Sequence, residues 1–292
     1  MLWYLLVRFA LCGLQALPLE AALRMSRALS RLASRVDRPH HRRAMEHIRL
    51  AYPDALDNRQ VEAMAHGVFE TIVRHVCQVI HMVRRRRLLL PTLQGADTLL
   101  NAYALGRGVV IVTAHLGPFG LFNLIPRHLN LRTVVVLKRQ KNRRLLGWVS
   151  RVLLDQLGVE MVLKPDAPKL IPEFLRRGYL IILFADQRPS GGGFSDTFLS
   201  RPAMVAAGPT IFAKRYKAPI VVASITTDAR GRNVARFEGP VSAEGSLEEV
   251  TRRWNRILEE RIREHPEQWA WMHRRWRDKS ASAPLPEPAA IA

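Results

Sequence analysis

At 292 residues the chain is long enough to bury a full core, as one large domain or as a core with an appendage. Its 48% hydrophobic and 24% charged residues exclude a disordered protein. Lys and Arg number 45 against 25 Asp and Glu, a formal net charge of +20, which implies a polyanionic partner: nucleic acid, anionic lipid or an acidic protein. Two cysteines, Cys12 and Cys77, are too few for a disulfide framework or a thiolate zinc site, and both read as buried thiols.

Met1 to Leu19 is apolar apart from Arg8 and Gln15. A signal peptide carries its basic charge before the apolar core, and a spanning helix does not readily hold an arginine at mid-depth. The segment therefore reads as a helix lying in the membrane interface, with Trp3 and Tyr4 at headgroup level, or as an amphipathic helix docked on the body. From Ala21 to Arg87 the pattern is largely helical. Arg24, Arg27, Arg31 and Arg35 recur at three- and four-residue steps among Leu23, Met25, Leu29 and Leu32, which predicts a helix with a basic face. Asp37-Arg-Pro39 breaks it, and a second helix runs from His40 to Ala51. Asp57 with Gln60 is a capping box for a third helix, whose apolar stripe is Val68, Phe69, Ile72, Val76, Val79 and Ile80. Arg84 to Arg87 then abut three leucines. That arrangement suits an anionic bilayer, and equally the negative end of a helix dipole.

After residue 91 the period changes. Strand-like runs fall at Val109 to Thr113, Thr133 to Lys138, Val159 to Leu163, Tyr179 to Ala185, Ile220 to Thr226 and Val234 to Phe237. Helical patterns lie at Gly95 to Leu105, Arg143 to Leu157, Ala167 to Arg177, Ala203 to Lys217 and Leu247 to Glu264, the last opened by a Ser246/Glu249 capping box. The fold class is α/β, a central mixed sheet flanked by helices, with a helical, membrane-facing N-terminal region. The expected organisation is a helical region over 1–91, an α/β domain over 92–279, and a disordered Pro-, Ala- and Ser-rich tail over 280–292.

Two of these strands end in polar residues. Gly108-Val-Val-Ile-Val-Thr-Ala-His115 delivers a histidine to a strand's carboxyl end, where Gly117 and Pro118 break the strand and where ligand crevices of open α/β sheets lie. Tyr179-Leu-Ile-Ile-Leu-Phe-Ala-Asp186-Gln187-Arg188 delivers a carboxylate. Were the two strands neighbours, Asp186 would orient His115 as a general base requires. Taken singly, the histidine can simply satisfy a loop and the aspartate can cap a turn. Gly191-Gly192-Gly193 lacks the spacing of a phosphate cradle and reads as a flexible loop over the site. No metal-ligand spacing and no nucleophile elbow occurs, so neither a metal nor a covalent nucleophile is indicated.

Several blocks resemble the lipid A biosynthesis (lauroyl/myristoyl) acyltransferases, within the wider glycerolipid acyltransferase superfamily. His115-Leu-Gly-Pro-Phe-Gly120 resembles that family's H-L-G-N-W-E, and Lys138 with Asn142 its Y-R-x-x-x-N. Asp186-Gln187 resembles its D-Q, and Phe198-Leu-Ser-Arg-Pro202 its F-F-G-x-P. Lys217-Ala218-Pro219 and the segment from His265 through Trp269, Trp271, Arg274, Arg275 and Trp276 resemble its later blocks. The resemblance implies transfer of a fatty acyl group from a thioester, on acyl carrier protein or coenzyme A, to a hydroxyl of a glycolipid or lysophospholipid. His115 would be the base and Lys138 and Asn142 substrate-binding groups. No cofactor is expected, and the setting would be the cytoplasmic face of the bacterial inner membrane, peripheral or monotopic. The anionic lipid acceptor and the acidic carrier both match the surplus of positive charge. One departure matters: Gly120 stands where the family has an acid, so Asp186 is assigned as the partner of His115, with Arg188 holding a phosphate or the oxyanion. The alternatives are a homologue that binds lipid or acyl carrier without catalysis, and a nucleic-acid-binding protein, a class for which no motif is present. Trp269, Trp271 and Trp276 are either core or interfacial anchors.

Overall fold

The computed structural model describes residues 12–276 apart from 14, 83–84, 139–146, 148–150, 152–155, 190 and 192. Residues 1–11, Arg84, Asn142, most of the helix expected at Arg143 to Leu157, and the tail from Ser280 lie outside the described residues.

Three helices come first: α1 (Leu19–Val36), α2 (Arg38–Ala51) and α3 (Asn58–His81). Pro39 in the first turn of α2 separates it from α1, since its fixed φ suits a helix start and no helix interior. The Asp57/Gln60 capping box opens α3 as expected. α1 exposes its basic face and buries a row of small residues. Ala22, Ser26, Ser30 and Ser34, at four-residue steps, point inward as α1 packs on α3, while Met25, Leu32 and Val36 are exposed beside Arg24, Arg27, Arg31 and Arg35. Each serine hydroxyl donates to a carbonyl three residues earlier, at 2.7 to 3.0 Å, so burial leaves no hydroxyl unpaired and the small side chains let the helices approach closely.

A short helix, α4 (Arg86–Leu89), leads to the sheet. In chain order follow β1 (Thr92–Gln94), α5 (Ala96–Ala104), β2 (Val109–Thr113), a 3-10 turn at Phe119–Asn123, α6 (Leu124–Leu129), β3 (Thr133–Leu137) and β4 (Val159–Leu163). Then come α7 (Ala167–Arg176), β5 (Leu180–Phe184), β6 (Gly193–Phe198), β7 (Arg201–Ala206), α8 (Gly208–Tyr216), β8 (Ile220–Thr227), β9 (Asn233–Val241) and α9 (Leu247–Glu264). Seven strands form one sheet in the order β1-β9-β8-β2-β5-β3-β4. The strands from β8 to β4 run parallel; β9 is antiparallel to β8, and β1 runs parallel to β9.

All five residues of β2 are buried, because helices cover both faces of the sheet. Val110, Val112, Ile181 and Val222 point to one face and join Val61, Ala65 and Val68 of α3 with Trp254, Trp269 and Trp271. Val109, Ile111, Leu180 and Ile182 point to the other, against Leu121, Ile125 and Phe237. The first helices thus share the core of the sheet. Trp269, Trp271 and Trp276 are all core residues.

Three sequence expectations need correction here. Ala203 to Ala206 are strand, not helix: they pair antiparallel with β6, and α8 begins only at Gly208 with Pro209 in its first turn. Gly193 belongs to no flexible loop; it opens β6, and a Cβ there would lie 2.5 Å from the Val205 carbonyl oxygen. The hairpin's mixed composition (Ser195, Asp196, Thr197, Arg201 and Pro202) carries no apolar alternation by which to read it. Cys77 is buried as expected, but Cys12 is exposed.

Candidate active site

The register of the central strands places the site. β2 and β5 are hydrogen-bonded neighbours with Thr113 opposite Phe184, and Ala185 N donates to the Thr113 carbonyl at 3.0 Å. His115 and Asp186 each lie two residues past that pair and so emerge side by side at the carboxyl ends. The Asp186 carboxylate accepts three hydrogen bonds: from His115 Nδ1 on Oδ1 at 2.9 Å, and on Oδ2 from the His115 backbone N–H at 3.0 Å and the Trp269 indole at 2.9 Å. Burial of this fully enclosed side chain pushes its pKa up. The opposing imidazole and the three donors outweigh that and hold it below the usual carboxylate range, at about 2. An ionised carboxylate only accepts, so the proton sits on His115 Nδ1 and Nε2 is left as a base. The histidine side chain keeps 20% of its surface open while Asp186 has none.

Backbone contacts hold the turn that carries His115. Gly117 has φ +54, and a Cβ there would meet the Ile225 carbonyl oxygen at 2.4 Å; only glycine fits. Its N–H donates to the Gln268 carbonyl at 2.9 Å, and Ala270 N donates to the His115 carbonyl at 3.1 Å. The Gln268 amide in turn bonds both backbone groups of Thr227 at 2.8 Å. The segment after α9 is thus fastened to the end of β8 and closes over the dyad from behind.

An aromatic wall surrounds the imidazole. Phe184, Phe119 and His273 have ring centroids 4.5, 4.9 and 5.0 Å from that of His115. His75 of α3 lies against Phe119 at 4.3 Å. Burial first, and the charge of His115 second, lower both His75 and His273 to a pKa of about 4. Both rings are therefore neutral near pH 7 and add no positive charge beside the base. His75 Nδ1 is a buried atom with no hydrogen-bond partner among the described residues.

Position 120 is tightly packed. A Cβ at that position would lie 2.8 Å from His75 Cε1 and 2.8 Å from Val79 Cγ2. Helix α3 packs so closely on the turn that the histidine ring fills the space a side chain at 120 would need.

Of the other expected site residues, Lys138 is exposed directly after β3, Asn142 lies outside the described residues, and Arg188 is half-buried two positions beyond Asp186. Gln187, quoted above only within a block, places its side-chain nitrogen 3.4 Å from both ring nitrogens of His115. Trp269, His75 and His273 went unassigned from sequence, because each reaches the site from an element distant in the chain. Among the described residues no group of three or more His, Cys, Asp and Glu could hold a metal ion.

A buried carboxylate–imidazole dyad thus lies at the carboxyl ends of two adjacent parallel strands, where α/β proteins place their ligand crevices. The family model of the bacterial lipid A biosynthesis acyltransferases matches residues 1–278, and the chain belongs to that family. Its activity class is accordingly acyl transfer in lipid A biosynthesis. No curated protein matches the chain.

Two predictions follow from the histidine cluster. A group whose folded pKa is depressed from 6.5 to about 4 binds its proton more readily when unfolded, so its contribution to stability is complete above pH 6.5 and is lost as the pH falls towards 4. Denaturant unfolding of wild type against His75→Gln should therefore differ in pH slope over that window by one proton, about 1.4 kcal/mol per pH unit; identical slopes would show that His75 titrates normally. Gly120→Asp should destabilise by about 1–3 kcal/mol through overpacking, and His75→Ala should relieve part of that cost in a double-mutant cycle. Additive effects would mean the ring does not exclude a side chain at position 120.

Proposed function

We propose that this protein moves a fatty acyl group from an acyl thioester, carried by acyl carrier protein or coenzyme A, to a hydroxyl of a membrane glycolipid or lysophospholipid. The observation that carries the reading is the 2.9 Å bond from His115 Nδ1 to the ionised Asp186. With Nδ1 so engaged, Nε2 removes the proton of the acceptor hydroxyl as its oxygen attacks the thioester carbonyl. The new C–O bond forms, the C–S bond breaks as the tetrahedral intermediate collapses, and the leaving thiolate takes the proton back from Nε2. The products are an ester and a free thiol. Because the thioester is already activated, the sequence of steps needs no nucleotide. The imidazolium formed midway is stabilised by Asp186, and neutral His75 and His273 leave it unopposed. The non-catalytic reading rested on the glycine at 120. The dyad's independence of that position favours catalysis.

We place the protein on the cytoplasmic face of the bacterial inner membrane, and the exposed side of α1 supports contact with an anionic membrane surface. Met25, Leu32 and Val36 stand open among four arginines, and Leu88 is open beside Arg87. Each well-placed cation adds about 1 kcal/mol on an anionic leaflet. Among the described residues no helix is long and apolar enough to cross a membrane.

In a transfer assay with acyl carrier protein thioester and a glycolipid acceptor, His115→Ala and Asp186→Asn should each lower turnover by roughly 10²–10⁴-fold. An Asp186→Asn protein that is folded and turns over undiminished would remove Asp186 from the mechanism. Vesicle sedimentation should show binding to phosphatidylglycerol-containing liposomes that weakens with salt and on replacing Arg24, Arg27, Arg31 and Arg35 by Gln. Retention on nucleic acid at matched salt, without liposome binding, would reverse the choice of partner.

A further inference from the structure

Five arginines line one cavity of about 530 Å³: Arg38, Arg42 and Arg43 from the first turns of α2, and Arg188 and Arg274 from the two segments that build the active site. The volume falls in the ~300–1,000 Å³ range of small-molecule sites. Among the described residues none of the five has a carboxylate within 4.0 Å, although Glu46 lines the same cavity. Arg43 donates one N–H to the Met272 carbonyl at 3.3 Å.

The arrangement opposes its own stability. A helix N-terminus carries partial positive charge, which acids in the first turn normally offset. The first turn of α2 has no acid, and three arginines stand in its first six residues instead. Asp37, the residue before it, has both oxygens within 2.8 Å of His40 Nδ1 and is already engaged. Five guanidinium groups thus line one open groove, with Arg38, Arg42 and Arg274 exposed to solvent and no carboxylate within 4.0 Å of any of them among the described residues. Guanidinium forks bind phosphate bidentately and suit this work better than scattered lysines.

Two of its lining residues come from the segments that carry the dyad and its aromatic wall. Arg188 is two residues beyond Asp186, and Arg274 follows His273, whose ring centroid is 5.0 Å from that of His115. We infer that this five-arginine cavity is a substrate subsite that binds a phosphate group of one of the two reactants and thereby sets the reacting group against His115. The inference rests on the acyl-transfer reading and deepens it. The phosphate has two possible sources: a sugar phosphate on the acceptor's headgroup, or the phosphate of the donor's pantetheine arm.

The test is calorimetric titration of the full chain carrying His115→Ala, so that no turnover occurs. The probes are N-acetylglucosamine 1-phosphate, 4′-phosphopantetheine, inorganic phosphate and unphosphorylated N-acetylglucosamine. One of the two organic phosphates should bind saturably and tighter than inorganic phosphate, and the neutral sugar should not bind. The tighter organic phosphate identifies the source. Adding Arg38→Gln and Arg42→Gln, both exposed side chains, should weaken that binding at least tenfold with unchanged thermal unfolding. Absence of saturable binding, equal affinity in the arginine variant, or inorganic phosphate binding as tightly as the organic probes would each overturn the subsite. Because binding is read on a catalytically silent protein, the two readings fail separately. Binding without any transfer by wild type would sink the acyl-transfer reading, and transfer without phosphate binding would sink the subsite alone.

Discussion

The buried Asp186 carboxylate is the constraint on which the candidate site depends. A charge without solvent exposure is costly unless its oxygens are satisfied, and here a backbone N–H, an imidazole and an indole satisfy them. Those three donors come from two residues, His115 and Trp269, which lie 71 residues before and 83 residues after Asp186. One carboxylate thus ties the end of β5 to the end of β2 and to the segment after α9. The same bonds set the tautomer of His115, so the contacts that hold the fold together here also leave Nε2 without its proton.

Around that carboxylate, polarity is rationed. Phe119, Phe184, Trp269 and two neutral histidines enclose the imidazole, and only an edge of it meets solvent. Low dielectric strengthens the Asp186–His115 pair and penalises further charge, which is why His75 and His273 stay unprotonated at neutral pH. The tight seat of α3 on the turn at Gly120 belongs to the same economy: an acid at that position would have to displace His75 or Val79 and would place a second carboxylate in an enclosed site.

Positive charge, by contrast, is arranged in two separate places. The exposed face of α1 carries arginines with apolar neighbours, a surface pattern suited to a lipid headgroup layer. The groove lined by Arg38, Arg42, Arg43, Arg188 and Arg274 groups arginines around one space, where a single ligand can meet several at once. The net charge of +20 therefore records at least two distinct arrangements and cannot be read as one uniform basic surface.

The sequence by itself determined the α/β class, the unbroken burial of β2 and the positions of His115 and Asp186 at strand ends, because apolar runs and strand-ending turns are local properties written in consecutive residues. Capping boxes at Asp57 and Ser246 were legible for the same reason. Only the tertiary structure decided that β2 and β5 are neighbours in matching register, since strand order depends on crossovers that leave no mark in either strand. It also decided that serines rather than leucines face the core from α1, that Ala203 to Ala206 pair as a strand, and that Trp269 serves the aspartate. Each of these is a choice between partners far apart in the chain. Gly120 shows the division most plainly: in the sequence it was a missing acid, and in the structure a Cβ there would lie 2.8 Å from both His75 and Val79 of α3.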